Sequence, residues 1–102
     1  MNANINNQEI SLHSISNSFF TKTLAVGSTT KVVDELPANV SFVKIQADKE
    51  IYYLSNQDNV DVSNGFVLSA GKEKIFCRRE ALGLKVYASE ASSLRIQPLS
   101  HD

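Results

Sequence analysis

The chain has 102 residues, 42% hydrophobic and 21% charged, with ten Lys and Arg against eleven Asp and Glu for a formal charge of -1. That length gives room for one domain, which buries roughly two-thirds of the surface of its unfolded chain, and the balanced charge excludes a net positive field for phosphate backbones or anionic lipid. Cys77, the single cysteine, closes no intrachain disulfide, and apolar runs of three or four residues fall far short of the ~20 that cross a bilayer.

From the N-terminus, Met1-Asn2-Ala3-Asn4 lacks the basic flank and apolar run of a secretory signal, so an intracellular origin is expected. Asn and Ser dominate residues 1–18, and Ile5, Ile10, Leu12 and Ile15 are scattered without a sustained period. Such a segment builds no core alone. It reads either as a frayed terminus or as an extended arm whose apolar residues Ile10, Leu12, Ile15, Phe19 and Phe20 lie on a neighbouring subunit.

From Phe19 onward the pattern changes to short segments rich in Val, Ile, Phe, Tyr and Thr, divided by Gly, Asn, Asp and Ser. Strands are predicted over 19–26, 29–33, 40–47, 51–55, 60–62, 66–68, 74–78, 84–88 and 94–97. Leu36-Pro37-Ala38-Asn39 breaks the chain before the third of them. Within 40–47 the alternation slips, because Val40 and Phe42 share one face while Val43, Ile45 and Ala47 share the other; the strand is either covered on both faces or bulged. Asn64-Gly65 suits a type I′ turn between 60–63 and 66–68, and Ala70-Gly71 offers a second turn. Residues 72–82 read as a strand through Ile75-Phe76-Cys77, with a loop or single helical turn over 78–82; a short helix stopped by Gly83 is the alternative. Leu84, Val86 and Ala88 face inward against outward Lys85 and Tyr87, and Leu94 and Ile96 repeat this against Arg95 and Gln97.

Few residues invite chemistry. His13 and His101 lie in the terminal segments, away from any rigid site. Cys77 has Arg78 and Arg79 beside it, yet strand neighbours point to opposite faces, so a buried inert thiol on the Ile75 side is expected. Asp58, Asp61 and Asn64 are spaced three apart instead of two and lack a closing Glu, which suits turn-flanking polar groups better than calcium ligands. Lys72, Lys74, Arg78 and Arg79 are interleaved with Glu73 and Glu80 and contain one aromatic, Phe76; they read as a solvated edge and not a nucleic-acid platform. Asn39-Val40-Ser41 fits a glycosylation triplet too short to carry weight. No catalytic, cofactor-binding or metal-binding residues are assigned, no cofactor is expected, and the chain is expected not to be an enzyme. Tyr52 or Tyr53 with Tyr87 are the residues on which a ligand-binding or carbohydrate-binding module would rest.

The stretch from Lys31 to Pro98 has a recognisable succession. Leu36-Pro37 precedes Val40-Ser41-Phe42-Val43-Lys44-Ile45; then follow Glu50-Ile51-Tyr52-Tyr53-Leu54, the 60–65 turn, Leu68-Ser69-Ala70-Gly71-Lys72-Glu73, Leu84-Lys85-Val86-Tyr87-Ala88 and Leu94-Arg95-Ile96. This order resembles the small β-sandwich virion proteins of tailed bacteriophages, which serve as capsid decoration, head, head-to-tail or tail accessory proteins. The resemblance implies a structural protein made in the host bacterial cytoplasm and residing in the virion. It further implies association with capsid or tail subunits and with further copies as a homo-oligomer, a trimer or larger ring; neither nucleic acid nor membrane is an expected partner. Lys72, where such proteins often carry Pro near the glycine, and the long polar N-terminal segment depart from that pattern. The fold expected is all-β: an extended arm over 1–18, a small antiparallel β-sandwich or barrel-like domain over 19–98, and a tail over 99–102.

Overall fold

A computed structural model describes the backbone of residues 2–5, 8–14 and 20–101 and the side chains of residues 20–100. The strands are β1 (Asn2–Ile5), β2 (Gln8–Ser14), β3 (Phe20–Leu24), β4 (Thr29–Lys31), β5 (Phe42–Ala47), β6 (Ile51–Ser55), β7 (Phe66–Leu68), β8 (Glu73–Cys77), β9 (Leu84–Ala88) and β10 (Ser92–His101). A five-residue helix, α1 (Arg78–Leu82), links β8 to β9. The expected all-β antiparallel sandwich is what the chain forms, and 75–82 divides as expected into a strand and one helical turn.

One sheet runs β1-β2-β10-β5-β8, with β3 also on β10; the other runs β4-β9-β6-β7. The body, β3 to β10, is a single antiparallel ribbon wound on itself. The pairs β3 with β10, β4 with β9, β5 with β8 and β6 with β7 form the ribbon. The pairs β10 with β5 and β9 with β6 then join its turns. This is the jelly-roll arrangement of two packed sheets.

Alternation builds the core. Val43, Ile45 and Ala47 on β5 face Ile51 on β6 and Leu84, Val86 and Ala88 on β9, with Leu94 and Ile96 alongside, all at 1% exposure or less. Polar neighbours on the same strands stay outside, and full burial of each aliphatic side chain contributes about 1.5–3 kcal/mol. The slip expected in 40–47 resolves simply: β5 begins at Phe42, and Val40 is buried from the preceding loop, its N–H bonded to the Pro37 carbonyl at 3.1 Å. Arg78 fixes that loop. Its Nη1 donates to the Pro37 carbonyl at 2.6 Å and the Val40 carbonyl at 3.0 Å, and its Nη2 to the Leu36 carbonyl at 2.9 Å. Arg78 is therefore a structural clamp, not part of a solvated edge, because a planar guanidinium satisfies several carbonyls at once.

The Asn64-Gly65 hairpin does not form. Residues 60–62 are no strand, β7 pairs with β6 instead, and among the described residues positive φ occurs only at Asn56, Gly27 and Gly71. The side chains of Asp61 and Asn64 outcompete the I′ geometry. Asp61 Oδ1 accepts from Ser63 N at 2.8 Å and Asn64 N at 3.2 Å, and Asn64 Oδ1 accepts from Asp61 N at 2.8 Å. The Gly71 turn does form, with φ +77° and Lys72 N bonded to the Ser69 carbonyl at 3.1 Å, the signature of a type II turn.

Residues 56–65 instead make a compact loop over the outer face of the second sheet. Val60 is 2% exposed, and its carbonyl and N–H are both bonded to Thr29 Oγ1, at 3.0 and 3.1 Å, across the sheet on β4. The stretch expected as a tail also enters the fold, since β10 continues to His101, where Leu99 pairs with Phe42 and Ser14. Pro98 tolerates its place inside β10. The Leu99 carbonyl points to β5, where it accepts from Ser41 N at 2.9 Å, so Pro98 faces the other edge, in the gap between the β3 partners (92–96) and the β2 partners (99–101).

Gly65 is required by space and not by φ. A Cβ there would meet Tyr52 Cβ at 2.7 Å, Val60 Cγ1 at 3.0 Å and the Asp61 carbonyl at 3.1 Å. Gly65→Ala is expected to lower the unfolding free energy by about 1–3 kcal/mol, read from the urea midpoint. A neutral or stabilising effect would mean that the loop does not press on the sheet.

Candidate protein interface

A two-sheet sandwich leaves four strands with an unpaired side. In the body these are β3, β4, β7 and β8. Three of them carry charge: Lys22 on β3, Lys31 on β4, Glu73 and Lys74 on β8. Lys22 also ties its own edge, donating from Nζ to the Lys31 carbonyl at 2.5 Å and the Val32 carbonyl at 2.9 Å. Strand β7 is different. No charged residue occurs from Val62 to Gly71, and Val62, Phe66 and Val67 are 58%, 64% and 53% exposed.

The Phe66 ring is anchored from beneath. Tyr53 lies 5.8 Å from it, centroid to centroid, and 5.3 Å from Phe76, which is 4% exposed. A row of aromatic rings thus runs from the core to the open mouth between β7 and β8 and holds the exposed Phe66 ring in place. An exposed apolar edge strand with unpaired backbone groups is suited to pairing with another strand.

The arm residues fall unevenly. Ile10 lies on β2 opposite Ala3, and Leu12 on β2 opposite His101 of β10, so β2 extends the chain's own first sheet. Ile15 and Phe19 lie outside the described residues. Phe20 sits on β3 opposite Ile96 and is 43% exposed. The described arm residues and the β7 patch lie on different parts of the body. From sequence, Val62, Phe66 and Val67 read as parts of a hairpin and not as surface residues; the uncharged run 62–71 was the available signal.

Other candidates are occupied structurally. Cys77 is half-buried on the outer face with Ile75, while Phe76 is the core residue of β8, so the expected burial on the Ile75 side is reversed; its Sγ contacts Glu80 Oε1 at 3.3 Å. An open depression of about 220 Å³ is lined by Gln46, Ala47, Asp48, Gly71 and Arg95. Its polar groups hold the fold: Gln46 Nε2 donates to the Gly71 carbonyl at 2.8 Å, and Asp48 Oδ1 accepts from Ser92 Oγ at 2.7 Å and Ser93 N at 2.8 Å. Tyr52 and Tyr87 meet edge-to-face at 6.3 Å on the outer face of the second sheet, whereas Tyr53 turns toward the core. Among the described residues no His, Cys, Asp and Glu cluster has the makings of a metal site, and no helix is long and apolar enough to cross a membrane. Comparison with protein-family models, curated proteins and solved structures finds no match to this chain.

The loop that presents Val62 is held by a carboxylate. The Ser63 hydroxyl and then the Ser63 N–H, with a smaller share from Asn64 N–H, hold Asp61 below the ordinary aspartate value of 3.8 against a partial desolvation that raises it. A lowered folded value means that this contribution is complete above the ordinary aspartate range and is lost as the pH falls through the lowered value. The stability deficit of Asp61→Ala at neutral pH is therefore expected to narrow as the pH falls below the ordinary aspartate value in urea titrations. A deficit independent of pH would show that the charge plays no part.

Proposed function

We propose that this chain is a non-enzymatic structural protein that works by protein–protein association, as a capsid-decoration, head or tail accessory component of a tailed-bacteriophage virion. The observation that carries the association half is β7: an uncharged edge strand with Val62, Phe66 and Val67 exposed beside an anchored aromatic row. Association contributes stability that a core of this size supplies only modestly. The virion half is supported by the strand order 31–98 described from sequence and by the jelly-roll winding, an arrangement used by viral capsid domains. Fold alone does not fix function, so the partner must be tested directly.

In this reading the body is the building block, further copies and capsid or tail subunits are its partners, and the N-terminal segment with Ile10, Leu12, Ile15, Phe19 and Phe20 supplies a second attachment. A chain lacking residues 1–18 is expected to keep its β-rich circular dichroism spectrum and to lose co-sedimentation with phage particles. Unchanged attachment would remove the arm from the account, and absence of the full-length protein from purified particles, by mass spectrometry, would remove the virion.

A second reading, a carbohydrate-binding module, is favoured by one observation. Tyr52 and Tyr87 stand side by side on an outer sheet face, with Tyr52 Oη donating to Glu50 Oε1 at 3.2 Å, and jelly rolls also serve as lectin domains. This reading predicts glycan binding that Tyr87→Ala abolishes; a glycan array blank at millimolar sensitivity removes it.

A further inference from the structure

We infer that β7 pairs with β7 of a second copy of this chain, antiparallel about a twofold axis beside Val67, joining two four-stranded sheets into one continuous sheet. The inference rests on the association reading above and names its partner. Three observations carry it.

The first is electrostatic. A residue on the twofold axis meets its own copy, so a charge at that position meets a like charge, which is destabilising in a cross-strand pair. Strands β3, β4 and β8 carry Lys22, Lys31, and Glu73 with Lys74, and β7 carries none across the uncharged run 62–71. Of the body's open edges, a second copy therefore offers β7 alone as an edge free of charge.

The second is backbone. β7 is bonded to β6 through Ile51, Tyr52 and Tyr53, and among the described residues no backbone partner occupies its other side. The third is the pattern of side chains. With the axis beside Val67, Val67 meets its own copy on one face and Phe66 lies opposite Leu68 on the other. Both faces of the junction are thus apolar, and the exposed Phe66 and Val67, at 64% and 53%, are those covered. A junction of three-residue strands falls well below the ~800 Å² per partner of a stable complex, so the pairing is weak in isolation and gains strength where many copies are held close together.

The test is sedimentation equilibrium on the full chain from ~10 µM to ~1 mM, with paired charge variants. The wild type is expected to rise toward twice the monomer mass across that range. Val67→Lys and Val67→Glu, each alone, are expected to remain monomeric, and an equimolar mixture of the two to associate again, because only a β7 to β7 contact sets one against the other. Phe66→Lys and Phe66→Glu, whose long side chains lie diagonal to each other across the axis, repeat the test should either Val67 variant fail to fold by circular dichroism. A wild type monomeric throughout overturns the inference, as does association that persists in the single variants or a mixture that stays monomeric. Particle attachment is scored separately: a wild type that is monomeric yet loses attachment in Val67→Lys overturns self-pairing while leaving the virion reading in place.

Discussion

Two sheets can each bury one face only by pressing them together, and a pair of finite sheets pressed together has open edges. The apolar layer of Val43, Ile45, Ile51, Leu84, Val86, Leu94 and Ile96 imposes this constraint on everything else in the molecule. Each strand of the body crosses that layer with alternate residues, so its other residues face either solvent or a covering loop. The ribbon winding leaves β3 and β4 at one side and β7 and β8 at the other. What the protein does with its surface reduces largely to what it does with those four strands.

Polar chemistry in the chain is spent on holding loops to this frame. Arg78 gathers three carbonyls of the 36–40 loop, Thr29 bonds both backbone groups of Val60, Asp48 ties the start of β10, and Lys22 closes one edge. Buried polar side-chain atoms are all satisfied among the described residues, which is how such groups avoid the desolvation penalty of an unmade bond. Side chains already committed to neighbours in this way are positioned for structure. Of the large apolar side chains left exposed, Val62, Phe66 and Val67 gather at β7, while Phe20 and Val26 lie on and just after β3.

Much of the architecture was legible because alternation is a local signal. Ile51–Ser55, Phe66–Leu68 and Leu84–Ala88 emerge with the boundaries read from sequence, and the inward sets Leu84, Val86, Ala88 and Leu94, Ile96 are those buried. The failures share a cause, which is that long-range geometry decided them. Asn64-Gly65 has the composition of a tight hairpin, but the partner of β7 is β6, and the glycine serves a close approach to Tyr52. Val40 looked like a strand residue because its burial comes from a loop fixed by Arg78, 38 positions away in sequence. Cys77 does lie on the Ile75 side, but that side is only half-buried, because the core takes Phe76 from the other face of β8. The β7 patch was visible only as an uncharged run, whose meaning depends on knowing which strands end up at an edge.

Amide hydrogen exchange at Phe66, Val67 and Leu68, followed residue by residue as protein concentration is raised, addresses the open edge most directly. If β7 is an unpaired edge that a second copy completes, an outward-facing amide on this strand exchanges rapidly in dilute solution and becomes protected in concentrated solution, while the amides of β5 and β10 are unchanged. Amides on β7 that are equally protected at every concentration would mean that its edge is already closed within one chain, and the account of this protein as one that works through that strand would fail.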